Sequence, residues 1–369
     1  MGEIFQMTGI SHPILLLGVG TAGAKIAHGV SRAFGDGMRC VLVDTDASSS
    51  VEGADFILLG GDRLAGRGAG GDIVAARLAA EDSLQTLNSK VEGIRLAVIV
   101  TSLGGGTGGG ATIEISKHLA DLGIATVVFA TTPFFFEGED RMRNARSAMS
   151  LIEQEANSVF FLPLDKLVGE EDVMQEAMKR AVDTLSGGIS LFWRLIMKPG
   201  YIKLDADRLR HLMTDSGRGR FSFVTVQGPD RASQAVEKLA NSELLSLADA
   251  PVNGILCGVL AGEDLRLSEL GRIADGIRTS FGEHVSFELG TVNDEATFCG
   301  RLCVVIMLFE KLPKAEKSLA SGTKGKRRRA SGMSPAVDRG RFSNSAPTIW
   351  HGEDLDLPTF MRRSINLDF

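Results

Sequence analysis

The chain has little that could brace it covalently or hold a metal. Its 369 residues include four cysteines. Cys40, Cys257, Cys299 and Cys303 follow no zinc or iron–sulfur spacing, so they read as reduced thiols of a cytosolic protein. The six histidines are scattered without ligand spacing, and no metal site built from side chains is expected. A single tyrosine and two tryptophans leave aromatic content at 6%, which argues against an all-β sandwich. No apolar run approaches the roughly 20 residues that a membrane span requires. The first residues lack the layout of a secretory signal. Neither sign of charge dominates: 40 Lys and Arg stand against 46 Asp and Glu, a net charge of −6. With 44% hydrophobic residues, the composition is that of an ordinary globular protein.

Two things are present in excess. Glycine, at 44 residues, is about 12% of the chain, above the roughly 7% that is usual. Charge is also segregated. Residues 311–349 carry ten Lys and Arg against two acids, a net of +8, and residues 350–369 carry −2, so the first 310 residues hold −12. The length exceeds what one core usually organises, and two domains with extensions are expected.

Short apolar runs alternate with helical spacing through the first part. Ile14–Leu17, Cys40–Val43, Leu96–Val100 and Ala125–Ala130 read as buried strands, with helices over 22–34, 72–89, 111–122 and 140–156. Runs that are apolar on both faces predict a parallel sheet covered by helices on both sides. Asp72 is the expected N-cap of its helix, and 53–71 reads as a glycine-rich loop. A short strand at 159–162 leads to one or two helices over 170–198, stopped at Pro199-Gly200. A second α/β block follows, with strands at 221–226, 253–260, 284–290 and 301–309 and helices at 230–246 and 266–280. From Lys311 the periodicity stops, and 311–349 reads as a disordered basic linker. Apolar residues return at 354–369, as in a short docking peptide.

The functional signal is in the glycines. Gly18-Val19-Gly20-Thr21-Ala22-Gly23 follows a strand and opens a helix. Such glycines let main-chain N–H groups approach a phosphate at a helix N-terminus. Asp44, closing the second strand, is placed to accept from a ribose hydroxyl. This cluster alone suits a dinucleotide or a mononucleotide. Gly104 to Gly110 places six glycines among seven residues between a strand and a helix. The conformational entropy cost is large, and a loop wrapping successive N–H groups around an anion accounts for it. A nicotinamide-dependent oxidoreductase would explain the first cluster but not the second.

Gly104–Gly110 resembles the GGGTG[ST]G signature of the tubulin/FtsZ superfamily, and other segments are similar to it in order. Gly18–Gly23 resembles its first phosphate loop. Asp44-Thr45-Asp46 resembles the loop after strand two, and Leu64–Asp72 the loop that senses the γ-phosphate. Thr132–Gly138 with Arg141-Met142 resembles the bacterial KPFxFEGxxRM segment, and Leu162–Leu167 resembles IPNDKL. Asp356–Arg363 looks like the FtsZ tail peptide, which favours FtsZ over tubulin.

The resemblance implies a Rossmann-like parallel-sheet GTPase domain over 1–175 and a central helix over 176–200. It further implies a smaller α/β activation domain over 201–310, a linker over 311–349 and a docking peptide over 350–369. It implies GTP or GDP with Mg2+, head-to-tail filaments with the nucleotide at the subunit interface, and a cytoplasmic place at the division site. Nucleotide contacts fall on Gly20, Thr21, Ala22, Lys25, Asp44, Gly70, Gly71, Gly105, Gly106, Thr107, Gly108, Glu137, Arg141 and Arg180. Hydrolysis is assigned to Asp205, Asp207 and Arg208, brought by the next subunit. A membrane anchor or division protein is implied for Asp356, Leu357, Pro358, Phe360, Arg362 and Arg363.

The sequence departs from the family at several of these positions. Lys203 and Arg208 stand where the incoming loop has Asn and its critical acid. Lys25 replaces an Asn at the first helix, Gln175 and Arg180 replace the Phe and Asp that hold guanine, and Leu164 replaces the Asn of IPND. Two readings follow: a Z-ring-type GTPase, or a divergent scaffold that polymerises with little hydrolysis of its own.

Overall fold

In the computed structural model of the chain, the strand Ile14–Val19 (β1) is buried along its whole length. The structure describes residues 14–310, apart from 35–37, 170, 172, 199, 205, 215–216 and 247–250, together with 349–350 and 353–354. Arg39–Asp44 (β2), Asp55–Leu58 (β3), Leu96–Ser102 (β4), Ala125–Thr132 (β5) and Ser158–Pro163 (β6) join β1 in one parallel array in the order β3-β2-β1-β4-β5-β6. Alternate side chains leave a strand on opposite faces. Ile14 and Leu16 therefore enter one core, and Leu15 and Leu17 enter another.

Helices cover both faces. Gly20–Arg32 (α1) and Met174–Met197 (α6) belong to the first core, through Ala27 and Val30 on one and Ile189, Phe192 and Trp193 on the other. The second core takes side chains from Ile73–Val91 (α3), Gly106–Asp121 (α4) and Glu139–Glu155 (α5). Gly61–Leu64 (α2) is a single turn.

The sheet continues into the second block. Arg218–Gln227 (β7) pairs with β6 at only two positions, Val159↔Arg218 and Phe160↔Gly219. Phenylalanines reinforce this narrow seam, with Phe129, Phe160 and Phe221 in mutual ring contact and Phe309 against Phe160. Val252–Ala261 (β8), Ser286–Asn293 (β9) and Arg301–Glu310 (β10) complete a ten-stranded sheet. Here β10 runs antiparallel to β7 and β8. Arg231–Ala240 (α8) and Leu267–Phe281 (α9) cover these strands around a third core that includes Val259, Ile273 and Ile306. Ala206–Thr214 (α7) and Glu295–Phe298 (α10) are shorter.

The alternation expected from the sequence is present, with three differences. The stretch 53–71 contains β3 and α2, too short to be read among so many glycines. The second glycine run is a loop only at Gly104 and Gly105, and from Gly106 onward it forms the start of α4. The third is α7, in a stretch where no helix was expected; of the one or two helices expected over 170–198 the structure forms one, from Met174. Residues 311–348 and 355–369, which hold nearly all of the basic linker and most of the docking peptide, lie outside the described residues. Ile349–Trp350 (β11) pairs antiparallel with Glu353–Asp354 (β12), so one short hairpin begins at the last residue assigned to the linker. Among the described residues no helix is long and apolar enough to cross a membrane.

Candidate nucleotide site

The strand order reverses at β1, with β2 on one side and β4 on the other. Crevices beyond the carboxyl ends of strands at such a reversal are where open α/β sheets take ligands. A cleft of about 420 Å³ lies at this place. The loops after β1 and β4 both enter helices here. α1 starts after Val19 and α4 after Gly105, neither start has a side-chain cap, and neither helix has an acid in its first turn. The leading N–H groups of both helices are therefore without intrahelical partners, and both positive dipole ends face the cleft. By contrast α3 is capped by Asp72, which accepts from the N–H groups of Val74 and Ala75.

The glycines bring these two loops together. A Cβ on Gly20 would sit 3.1 Å from the nitrogen of Gly108, and Gly20 has φ of +75°. A Cβ on Gly106 would sit 2.7 Å from the Asp72 carbonyl oxygen. The Thr101 hydroxyl ties them further, donating to the carbonyls of Gly108 at 2.9 Å and Val19 at 3.3 Å. Thr45 and Thr107 hydroxyls meet at 2.7 Å across the cleft floor.

Two further loops form the rim. The Gly68 N–H donates to the Thr45 carbonyl at 3.1 Å and the Ala47 N–H to that of Gly66 at 3.0 Å, stitching the loop after α2 to the loop after β2. The Asn144 amide donates to the Gly71 carbonyl at 3.0 Å and fixes the end of that loop to α5. Ser48, through its hydroxyl and its N–H, holds the Asp46 carboxyl below the usual carboxylate range.

Twelve of the fourteen nucleotide residues expected from the sequence line this one cleft: Gly20, Thr21, Ala22, Asp44, Gly70, Gly71, Gly105, Gly106, Thr107, Gly108, Glu137 and Arg141. Lys25 and Arg180 are not among its lining; both are exposed, on α1 and α6. Asp44 is engaged by the protein itself. It is buried, accepts from the Thr21 hydroxyl at 2.9 Å and from the Thr45 N–H at 2.7 Å, and so shapes the turn of the first loop. Glu137 likewise accepts from the Phe134 N–H and pairs with Arg141. Arg67 and Ser102 line the cleft without having been singled out. Their positions, inside the glycine-rich loop and at the carboxyl end of β4, were the available signal. Asn144 offered none, being one polar residue on an amphipathic helix.

Of the three residues assigned to hydrolysis, the two that are described lie elsewhere. Asp205 falls outside the described residues, and Asp207 and Arg208 are on α7, where only the backbone is described. α7 follows the far end of α6, whose 24 residues span about 36 Å. α6 itself begins after β6, at the cleft end of the sheet. The start of α7 is thus remote from the chain's own cleft.

Among the described residues no group of His, Cys, Asp and Glu could hold a metal ion unaided. The cleft does offer oxygens from Thr21, Thr107 and Asp46, which fits a Mg2+ carried largely by phosphates.

Comparison with known proteins agrees with this geometry. The family model for the tubulin/FtsZ GTPase domain matches residues 13–171, and that for the FtsZ C-terminal domain matches residues 217–308. The cell division protein FtsZ of Pseudomonas aeruginosa is 29% identical over 95% of this chain and 88% of its own. The FtsZ of Coxiella burnetii is 30% identical, covering 80% and 78% respectively. Among solved structures, an FtsZ dimer of M. jannaschii superimposes with a TM-score of 0.77 at 25% identity, over 84% of this chain and 91% of that one. CetZ2 of Haloferax volcanii shares the fold, with a TM-score of 0.67 at 21% identity over 80% and 92%.

Proposed function

This chain belongs to the FtsZ family of tubulin-like GTPases, and from that premise we propose that it is a GTP-binding, filament-forming cell-division protein of the Z-ring type. The observation that carries the nucleotide assignment is the pair of uncapped helix N-termini facing one glycine-lined cleft. Such an arrangement suits a polyphosphate, because fixed N–H groups neutralise charge without side-chain reorganisation. Gly20–Ala22 and Gly105–Gly108 would hold the phosphates, with Gly70 and Gly71 over the terminal one. Mg2+ would sit against phosphate oxygens near Thr21 and Asp46 and spread the charge that develops on them.

The remoteness of the start of α7 from the chain's own cleft supports a site completed by the next subunit. In this reading Asp205 and Asp207 approach the neighbour's nucleotide and orient water there, while Arg208 faces the phosphates. Head-to-tail repetition of such a contact produces an open filament rather than a closed ring of few subunits. The peptide Asp356, Leu357, Pro358, Phe360, Arg362 and Arg363 would dock on a cytoplasmic anchor at the division site.

The test is sedimentation and phosphate release over a series of protein concentrations. GTP-dependent pelleting and a specific rate that rises with concentration are expected. Asp205→Ala and Asp207→Ala should each cut turnover by more than about tenfold, with nucleotide binding by the monomer unchanged. A rate independent of concentration would overturn the shared site.

A further inference from the structure

The exposed arginines of α2 and α5 each hold a carboxylate. Arg63 pairs with Asp82, Arg141 with Glu137, Arg143 with Asp140 and Arg146 with Glu139. Arg67 is different. It lines the cleft, is exposed, and among the described residues has no ion pair or side-chain hydrogen bond. Its main chain, by contrast, is held firmly. Gly66 and Gly68 on either side take φ of +69° and +77°. The Arg67 N–H donates to the Leu64 carbonyl at 3.0 Å, and Arg67 and Asp46 form an antiparallel bridge. Main-chain bonds therefore shape this loop, and the guanidinium contributes none of them.

The charge balance of the cleft points the same way. Five charged side chains line it: Asp44, Asp46, Glu137, Arg67 and Arg141. Asp44 is bonded to Thr21 and Thr45, Glu137 is paired with Arg141, and Asp46 accepts from the Ser48 N–H at 2.8 Å. Arg67 is the lining cation left without a partner among the described residues. The walls also differ in kind. Those at Gly20–Ala22 and Gly105–Gly108 present the N–H groups of uncapped helix starts. The wall at 67–71 leads into α3, whose first N–H groups are already taken by Asp72. It has no helix start to offer an anion, and its positive charge is Arg67. A guanidinium presents a planar fork that matches two non-bridging oxygens of a phosphate.

We propose that Arg67 reads the terminal phosphate: its guanidinium pairs with γ-phosphate oxygens and gives the isolated subunit a preference for nucleoside triphosphate over diphosphate. This rests on the reading above, in which Gly70 and Gly71 lie over the terminal phosphate. It adds a charged side chain to a contact otherwise made by main chain. The preference is set within one copy and needs no neighbour. A diphosphate leaves the guanidinium in water, where it already stands, so the inner phosphates are held as before.

The test is competition of GTP and of GDP against a fluorescent GTP analogue on the full chain, at fixed Mg2+ and at protein concentrations where nothing pellets. Wild type should favour GTP over GDP by about tenfold or more. Arg67→Met should weaken GTP by about tenfold or more. The same variant should change GDP by about twofold or less, because the inner phosphates feel only a screened, more distant charge. Arg67→Lys keeps the charge without the fork and should retain part of the preference. Thermal melts of both variants should match wild type, since the guanidinium makes no bond within the loop. The wild-type preference should also shrink as salt rises from about 0.05 to 0.3 M, a measurement that stands even if a variant fails to fold. Several results overturn the proposal while leaving the nucleotide site in place: GTP and GDP weakened equally by Arg67→Met, GTP binding unchanged by it, or a lysine variant as poor as the methionine one. A wild-type chain with equal affinity for GTP and GDP, or with a preference indifferent to salt, does the same. A wild-type chain that binds neither nucleotide overturns both.

Discussion

Gly108→Ala should abolish nucleotide binding, while Gly70→Ala should weaken it by about tenfold or less. Gly108 is buried where two phosphate loops touch. A Cβ there would overlap the Ser102 carbonyl oxygen and come within 3.1 Å of the Thr101 hydroxyl oxygen. Neither obstacle can swing aside, because Ser102 is the last residue of β4 and Thr101 is buried and bonded to two carbonyls. The start of α4 must move instead, and the Gly20 turn packed against it moves with it. Overpacking of this sort costs about 1–3 kcal/mol or more, and here the whole distortion falls on the amides that would hold phosphate. Gly70 is the contrasting case. Its φ is +58° and nothing lies within 4 Å of a Cβ built on it. Alanine there pays only the left-handed penalty of about 1–2 kcal/mol. Titration with a fluorescent GTP analogue, alongside a thermal melt of each variant, checks both. Unchanged binding by Gly108→Ala would remove the site assignment.

Arg231→Met should destabilise the protein by about 3–5 kcal/mol at neutral pH and by less in acid. Arg231 is 5% exposed at the start of α8. Its Nε and Nη2 donate to the two Glu269 oxygens at 2.7 and 3.0 Å, and its Nη1 to Asp264 at 2.8 Å. Removing the guanidinium leaves the Glu269 carboxylate, 12% exposed, without its principal partner. In the wild type Arg231 first, and the Arg266 N–H after it, hold the Glu269 carboxyl below the usual carboxylate range. That contribution is fully present above the unfolded value of about 4.3 and fades as pH falls through the lower folded value. In the variant the same burial without Arg231 favours the protonated acid, so stability is regained as pH falls. The gap between the two proteins should therefore narrow from pH 7 toward about pH 4 in urea titrations. A gap of constant size would show that the loss is one of packing and not of charge.

The parallel half of the sheet was legible because buried parallel strands are apolar on both faces and need no partner in sequence to be recognised. The phosphate loops were legible for the opposite reason, an excess of residues with no side chain at all. The same excess concealed the start of α4. Glycine is a poor helix former, yet Gly106, Gly108 and Gly110 take the first turn because a Cβ at each would strike the main chain of Asp72, Ser102 or Ile73. Local propensity yields there to close approach between elements, which no window of sequence reports. α7 was not expected from the sequence, although Leu209, Leu212 and Met213 stand at helical spacing and all three enter the first core. Lys25 and Arg180 were assigned by position in a family pattern, and both stand exposed on α1 and α6, outside the lining of the cleft. Asp44 was legible as a site residue but not in its role, since its bond to Thr21 depends on a fold that brings residues 23 apart in sequence together.

The cleft described here is lined chiefly by main-chain amides and by places where a side chain is missing. A site of this kind leaves a sparse evolutionary record. Side chains can vary there as long as the main chain keeps its course, because few of them need a particular chemistry for the ligand to be held. A relative 29% identical need share little beyond the empty positions. A substitution on the outer surface away from the cleft and from 203–208 leaves these main-chain contacts as they are. Two such proteins in one cell could use the same fuel while building separate polymers.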